Sequence, residues 1–311
     1  MTVSIVVSVY NEEAVIEHFH SILSEQTAKI AATFEFIFVN DGSTDASATL
    51  IDQLAQTDGR ITGIHLSRNF GHEAAMLAGI DHSHCDAVIC MDSDLQHPPS
   101  LIANMLAAFE QGNDIVTTQR TSRADGGLFK RLSSNLFYKT INKLSNSNLQ
   151  PNVSDFFLIS KRVAHIIQND LRERTRFLRG LIQNIGFNTI SLPYEAPARS
   201  ARHSKYTPFK LIEHSLTAIC SFSKAPLKIG IYIGLGFGLL SIVLIAYSLT
   251  MWIIERPVAG YTTLIIFLST FAAALFVILG LIGYYIGFIF DEVKKRPIYL
   301  IDRIKQSPSK Q

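Results

Sequence analysis

Two aspartates separated by one residue, Asp92 and Asp94, close a short apolar run from Ala87 to Met91 and precede the proline pair Pro98-Pro99. The run is too short for a helix and has the bulk of a buried strand. In extended chain, residues i and i+2 point the same way, so the two carboxylates face one side. Converging carboxylates repel unless a cation lies between them. Hard ions such as Mg²⁺ or Mn²⁺ suit oxygen ligands and commonly share them with a substrate's phosphates. The pair is therefore a candidate metal–diphosphate site at a strand end. A solvated Asp-Ser-Asp turn is the ordinary alternative for an isolated pair, so the surroundings decide.

Those surroundings alternate. The pattern predicts strands at Val3–Val9, Phe34–Val39, Ile61–Leu66, Ala87–Met91 and Asp114–Thr118, with helices at Glu12–Ala32, Ala46–Gln56, Glu73–His82 and Ser100–Gln111. Such alternation implies βαβ units and a mostly parallel sheet covered on both faces. Ligands of these sheets bind beyond the carboxyl ends of the strands. Polar residues collect there: Tyr10-Asn11-Glu12 after the first strand, Asn40-Asp41-Gly42-Ser43 after the second, and Asp92-Ser93-Asp94 after the fourth. Three strand ends delivering polar groups to one edge outweigh any one alone.

Further on, a helix is expected at Leu128–Leu144, a strand at Phe156–Ser160, helices at Lys161–Asn169 and Arg176–Ile185, and a last strand at Ile190–Tyr194. Ala196 to Tyr206 reads as a loop of small and basic residues. Thr207-Pro208 starts a helix, whose Leu211, Ile212, Leu216, Ile219 and Phe222 recur at helical spacing, a core stripe or an interfacial face. Ile229 to Ile254 and Pro257 to Phe290 then run without a charge, each long enough to cross a bilayer. Lys224 and Lys228 flank one side, Lys294, Lys295 and Arg296 the other, and the positive-inside rule puts both flanks in the cytosol. The glycines at 230, 234, 236 and 238 permit close helix contacts. The expected organisation is a catalytic domain at 1–206, a juxtamembrane helix at 207–226, two membrane helices at 227–290 and a cytosolic tail at 291–311. The opening strand leaves no room for a signal peptide.

The totals exclude little else. A formal charge of +2 gives no case for a nucleic-acid partner, and Cys85, Cys90 and Cys220 form no zinc or redox spacing. His65, His82, His84 and His97 show no metalloprotease spacing and are expected in ordinary surface or core roles, and His72 is assigned no chemistry.

Taken in order, these motifs resemble the inverting GT-A glycosyltransferases of the second family, and within them the polyprenyl-phosphate sugar transferases, the bactoprenol glucosyltransferases and dolichol-phosphate mannose synthases. The residues carrying the resemblance are Val7 to Glu13, Val39 to Asp45, Leu66 to Glu73, Met91 to Pro99, Arg176 to Gly180, Lys205-Tyr206, Ser221 to Leu227 and Lys295 to Tyr299. The resemblance implies a Rossmann-like GT-A domain with a membrane anchor, working as a homo-oligomer such as a tetramer in the inner membrane. It implies a UDP-hexose donor and a polyprenyl-phosphate acceptor, UDP-glucose and undecaprenyl phosphate being the first choice.

It also distributes roles. Asp92, Asp94 and Gln96 would hold Mg²⁺ or Mn²⁺ against the leaving diphosphate. Tyr10, Asn11, Glu12, Asp41, Ser43 and Asp92 would bind the nucleotide sugar, Asp41 accepting from a base N–H or making a turn. Arg68 and Asn69 would brace the loop or touch substrate. Arg120, Arg123, Lys130, Arg131, Arg176, Arg179, Arg202 and Lys205 would meet the acceptor phosphate, which arginine's fork suits. Asp155 matches the family's aspartate often assigned as base, with Asp94 the other catalytic residue. A lipid phosphate, largely dianionic at neutral pH, is already a nucleophile, so Asp155 has an alternative role in orienting sugar or acceptor.

Some residues depart from the pattern. Asn40 stands where many relatives have aspartate, Phe157 where arginine is expected, and Gly283 to Phe288 lacks a Glu and an Arg that relatives carry. The rival readings are a GDP-mannose-dependent mannosyltransferase, a processive polysaccharide synthase, a non-catalytic nucleotide-sugar-binding adaptor and a transport component. The sole tryptophan, Trp252, lies inside the first apolar run, so a synthase's Gln-x-x-Arg-Trp motif is missing.

Overall fold

The computed structural model describes residues 1–121, 150, 152–173, 178–195, 225–254 and 260–306. Two units emerge. The described residues up to 195 join with 297–306 in one, and 225–254 with 260–296 form the other.

The first unit is built on one sheet. Its strands are β1 (Thr2–Val9), β2 (Thr33–Asn40), β3 (Ile61–Leu66), β4 (Ala87–Asp92), β5 (Ile115–Arg120), β6 (Val153–Ser160), β7 (Thr189–Tyr194) and β8 (Ile301–Gln306). They lie in the order β7-β5-β6-β4-β1-β2-β3-β8. β6 is antiparallel to β4 and β5, β8 is antiparallel to β3, and the other neighbours run parallel. The carboxyl ends of β1 to β5 and the start of β6 therefore share one edge.

The central strands are apolar on both sides because both faces are covered. Ile5 and Val7 of β1 join a core with Ile16, Phe19 and Leu23 of α1 (Ile16–Ala28), Ile51 of α2 (Ser47–Thr57) and Met105 of α4 (Ile102–Glu110). Val6 faces the opposite core, formed with α3 (His72–Asp81), Val163 and Ile167 of α5 (Lys161–Asn169), and Leu178 and Ile182 of α6 (Leu178–Asn184). Helix α3 lies so close to β1 that a Cβ on Gly79 would meet Val6 Cγ1 at 2.1 Å.

The expected α/β architecture is present, with three differences. Helix α1 starts at Ile16, since the backbone N–H groups of Val15 and Ile16 turn back onto the Glu12 carbonyl. Strand β6 starts at Val153, so Asp155 lies within a strand. The supposed tail supplies β8, a strand its charged alternation concealed, because only Ile301 and Ile304 of IDRIKQ offer apolar bulk. Just ahead of it, Ile298, Tyr299 and Ile301 pack against the α3-side core. Tyr299 donates a 2.6 Å hydrogen bond to Asp81, which Arg172 also grips at 2.8 and 2.9 Å.

In the second unit, α7 (Ala225–Ile253) and α8 (Tyr261–Val293) form an antiparallel pair. Phe237 meets Phe271 edge-on at 5.7 Å, and Gly230 backs onto Ile278. Gly234, Gly236 and Gly238 meet nothing among the described residues. Gly230–Met251 and Thr270–Val293 are long and apolar enough to cross a membrane, with no part of either stretch buried within the chain. The helices expected at 128–144 and 207–226, and the basic loop at 196–206, lie outside the described residues.

Removing the Tyr299 hydroxyl should cost stability without unfolding the protein, because Arg172 still neutralises Asp81. Tyr299→Phe is expected to lose roughly 1.5–3 kcal/mol, the scale of a hydrogen bond to a charged group, in thermal melts of the detergent-solubilised chain.

Candidate active site

Cys90 of β4 faces Phe157 of antiparallel β6. Two residues further along each strand, Asp92 and Asp155 come level at the shared edge. Cys90 and Phe157 both point into the α3-side core, and the side-chain period of two sends the aspartates to that same face. Phe157 is thus a core residue with 1% exposure, which accounts for the missing arginine there. Ser93 turns the other way, buried, its Oγ donating to the Ser8 carbonyl.

His72, the first residue of α3, spans the two carboxylates. Its Nε2 lies 3.4 Å from Asp92 Oδ1 and 3.9 Å from Asp155 Oδ2. Nδ1 is 2.9 Å from Ser8 Oγ, which also bonds Asp92 Oδ1 at 3.2 Å. Asp155 itself is gripped by the Arg179 guanidinium through both oxygens. Burial raises the Asp155 carboxyl, but Arg179, His72 and His97 together outweigh it and hold the group below the usual carboxylate range. An ion-paired carboxylate of that kind is a poor base.

The loop that carries Asp94 is held from several sides. Asp94 Oδ1 accepts from the Gln96 N–H at 3.1 Å, and Leu95 sits at φ 59°, a conformation costly for a branched side chain. The backbone N–H of Asp92 donates to His97 Nδ1 at 3.0 Å. His97 is 1% exposed and stacks on Phe156 with ring centroids 5.2 Å apart. Burial keeps it below the ordinary imidazole value against the pull of Asp92. With Nδ1 accepting, its proton resides on Nε2.

Asp92, Asp94 and Gln96 supply hard oxygen donors, and among the described residues no group of three His, Cys, Asp or Glu converges to complete a cage. That partial set suits a divalent cation sharing its ligands with a substrate's phosphates.

Beside this cluster, the ends of β1 and β2 are laced together. The Asn11 N–H donates to Ser43 Oγ at 3.0 Å, and Asn11 Oδ1 accepts from Thr44 N at 2.8 Å. Glu12 N donates to Ser47 Oγ. Tyr10 is the open member, 46% exposed. Asp41 is buried, its oxygens accepting from the N–H groups of Phe70 at 2.7 Å and Gly71 at 3.0 Å. Burial raises its carboxyl against those two bonds. In this structure Asp41 braces the Arg68–Gly71 turn, a distant segment rather than its own Asp-Gly-Ser turn. Gly42 closes the same contact: at φ 64°, a Cβ there would lie 2.4 Å from the Arg68 carbonyl carbon. Arg68 folds over the Phe70 ring.

Among the expected acceptor residues, Arg120 donates through Nε to the Tyr194 hydroxyl at 2.9 Å, and Arg179 is paired with Asp155. Arg123, Lys130, Arg131, Arg176, Arg202 and Lys205 lie outside the described residues. Sequence reasoning missed His72, His97 and Glu73. Their signal was membership of the Leu66–Glu73 and Met91–Pro99 motifs, with His72-Glu73 at a helix start beyond β3 and His97 directly after the Asp-x-Asp-Leu-Gln run.

Glu73 is half-buried beside this cluster and accepts from the Leu178 N–H at 3.2 Å, tying the start of α3 to the helix that carries Arg179. Burial, then the charge of Asp155, push its carboxyl up to about 7. Its folded value thus exceeds the unfolded 4.5, so the stability it lends is complete below the unfolded value and is lost as pH rises through about 7. Glu73→Gln, which retains the acceptor, is expected to flatten the pH dependence of the melting temperature. Above neutrality the variant should exceed wild type by up to about 3 kcal/mol. His97→Phe keeps the stack and strands the Asp92 N–H, so divalent-cation affinity measured by calorimetry should fall about tenfold.

A prophage bactoprenol glucosyl transferase homolog of Escherichia coli is 36% identical over 307 residues, covering 98% of this chain and 100% of that protein. An SfII prophage-derived bactoprenol glucosyl transferase of Shigella flexneri is 36% identical over 304 residues, covering 97% and 98%. Likeness to solved structures is remote: glucosyl-3-phosphoglycerate synthase from Mycobacterium tuberculosis reaches a TM-score of 0.47 at 19% identity, over 70% of this chain and 77% of that one. The family model described as glycosyl transferase family 2 matches residues 4–167. The chain belongs to glycosyl transferase family 2 and is a glycosyltransferase.

Proposed function

We propose that this enzyme transfers a hexose, glucose from UDP-glucose as the first choice, to a polyprenyl phosphate at the cytosolic face of the inner membrane, inverting the anomeric carbon. One observation carries the reading: the Asp92/Asp94 edge, with the Asp155–Arg179 pair beside it, belongs to a unit whose chain runs on into two unburied apolar helices. The relatives named bactoprenol glucosyl transferase, similar over nearly their whole length, support the lipid acceptor. Described residues before and after the helix pair fold into one unit, so two crossings return the chain to the side it left. Lys294, Lys295 and Arg296 support a cytosolic placement of that side by the positive-inside rule. A homo-oligomer, which the family resemblance implies, belongs to the same proposal, and crosslinking in the membrane checks it.

Asp92, Asp94 and Gln96 would hold Mg²⁺ or Mn²⁺, whose contribution is to neutralise the leaving diphosphate. Tyr10 offers its ring to the base, and the Asn11–Ser43 lacing fixes the loops on which the nucleotide rests. The acceptor phosphate is already dianionic near neutrality, so it needs orientation more than deprotonation. An aspartate held ionised by Arg179 suits that need, with Asp155 orienting sugar hydroxyls or acceptor and keeping water from competing. Arg120 lies at the same edge for the acceptor's charge.

Purified full-length protein with undecaprenyl phosphate, Mg²⁺ and labelled UDP-glucose is expected to move label into the organic phase. Asp94→Ala should lower that rate at least roughly 100-fold, as should chelation, because charge neutralisation by the cation is worth several kcal/mol. A water-soluble product, or indifference to chelator, sinks the proposal. Preference for a GDP-sugar in the same assay corrects the donor alone.

A further inference from the structure

Asn40 closes β2 one residue before Asp41 and is 4% exposed. Its side-chain Oδ1 accepts from the Ser43 backbone N–H at 3.0 Å, and its Nδ2 lies 3.2 Å from Nδ1 of His65 on β3. The far side of the His65 ring, Nε2, lies 2.9 Å from Asp52 Oδ1 on α2. Asp52 Oδ2 accepts from Arg303 of β8 at 3.0 Å. The directions in this chain are forced. A backbone N–H only donates, so the Asn40 oxygen faces Ser43 and its NH₂ faces His65. His65 Nδ1 must then accept, which leaves its proton on Nε2, aimed at the Asp52 carboxylate.

The groups around the ring are Asn40 from β2, Asp52 from α2, and Asp302 and Arg303 from β8. Burial lowers the His65 pKa against Asp52. Ser43, the far end of the chain, also accepts from the Asn11 N–H through its Oγ. Asn40 therefore touches the lacing of the two donor loops from below, although its burial removes it from the nucleotide.

We infer that Asn40 is a positioning residue for the donor loops, and that by fixing His65 as one neutral tautomer it keeps donor affinity constant across the range where imidazole ordinarily titrates. An aspartate of the same size would present oxygen to the Nδ1 lone pair. Two acceptors repel, and the relief is a second proton on His65, which then sits as an imidazolium between carboxylates at 40 and 52. In Asn40→Asp the intact loop thus raises the His65 pKa. The loop is secure at low pH and loosens as pH rises through that raised value. The inference rests on the nucleotide-sugar reading of the Asn11–Ser43 loops.

The test uses the full chain in detergent with ¹⁵N-labelled histidine, together with calorimetric binding of UDP-glucose from mildly acidic to mildly alkaline pH. Wild-type His65 is expected to show an unprotonated Nδ1 and a protonated Nε2 throughout, and Asn40→Asp an imidazolium persisting past neutrality. Binding to Asn40→Asp should match wild type within about twofold at the acidic end and fall about five- to tenfold below it at the alkaline end, the scale of one hydrogen bond lost. Asn40→Ala, losing both bonds, should bind more weakly without gaining a pH slope. A wild-type His65 that titrates at an ordinary value, or an Asn40→Asp binding profile parallel to wild type, overturns the inference. If wild type fails to bind UDP-glucose at all, the nucleotide-sugar reading and the positioning role fall with it, and the histidine spectra then decide the tautomer claim by themselves.

Discussion

The convergence of Asp92 and Asp155 at the edge between β4 and β6 is the constraint on which the rest of this site depends. Neighbouring carboxylates on adjacent strands repel, more strongly as water is excluded. The protein answers with fixed cations and donors: Arg179 on Asp155, His72 spanning both, and Ser8 on Asp92. Each comes from a different element. The sheet, α3 and α6 must therefore all be in place before the acidic edge is tolerable, and Glu73, bonded to the start of α6, belongs to the same assembly. Arg179 offered to an acceptor phosphate and Arg179 holding Asp155 are competing uses of one guanidinium. The Nε and Nη2 of Arg179 hold Asp155, in keeping with the proposal that Asp155 orients rather than takes a proton.

The loops around this edge are held chiefly by side chains bonding to backbone. Asp41 takes two N–H groups of the Arg68–Gly71 turn, the Asn11 N–H goes to Ser43 Oγ while Asn11 Oδ1 accepts from Thr44 N, and His97 holds the N–H of Asp92. Polar backbone at a strand end has no ladder partner, and when buried it must find one. Using short polar side chains for this lets the loops keep unusual shapes, including Leu95 and Asn11 at positive φ. Strain of that kind persists where surrounding bonds over-determine it.

The apolar helix pair is inserted between parts of a single folded unit. The stretch that leaves α8 returns to the sheet, where Tyr299 reaches Asp81 and β8 covers the edge of β3. An exposed β3 edge would invite pairing with another chain, and the charged, short β8 both completes the sheet and blunts its new edge. Its Arg303 ends the chain of bonds that runs through Asp52 and His65 to Asn40.

Sequence periodicity by itself determined the βαβ alternation, the polar strand ends and the two apolar runs. Each is a local property of residues within one element or one turn. What periodicity left open was pairing across distance. Ser8 and Asp92 lie 84 residues apart, Asp52 and Arg303 251 apart. Strand order alone brings them together, and nothing in either segment announces its partner. For the same reason His65, His72 and His97 looked like ordinary histidines, Arg179 was read for an acceptor phosphate with no sign of its pairing to Asp155, and IDRIKQ looked like a tail. An imidazole's role is set by the donors and acceptors that the tertiary fold places at its two nitrogens, and a strand with two apolar residues is recognisable only when β3 stands beside it.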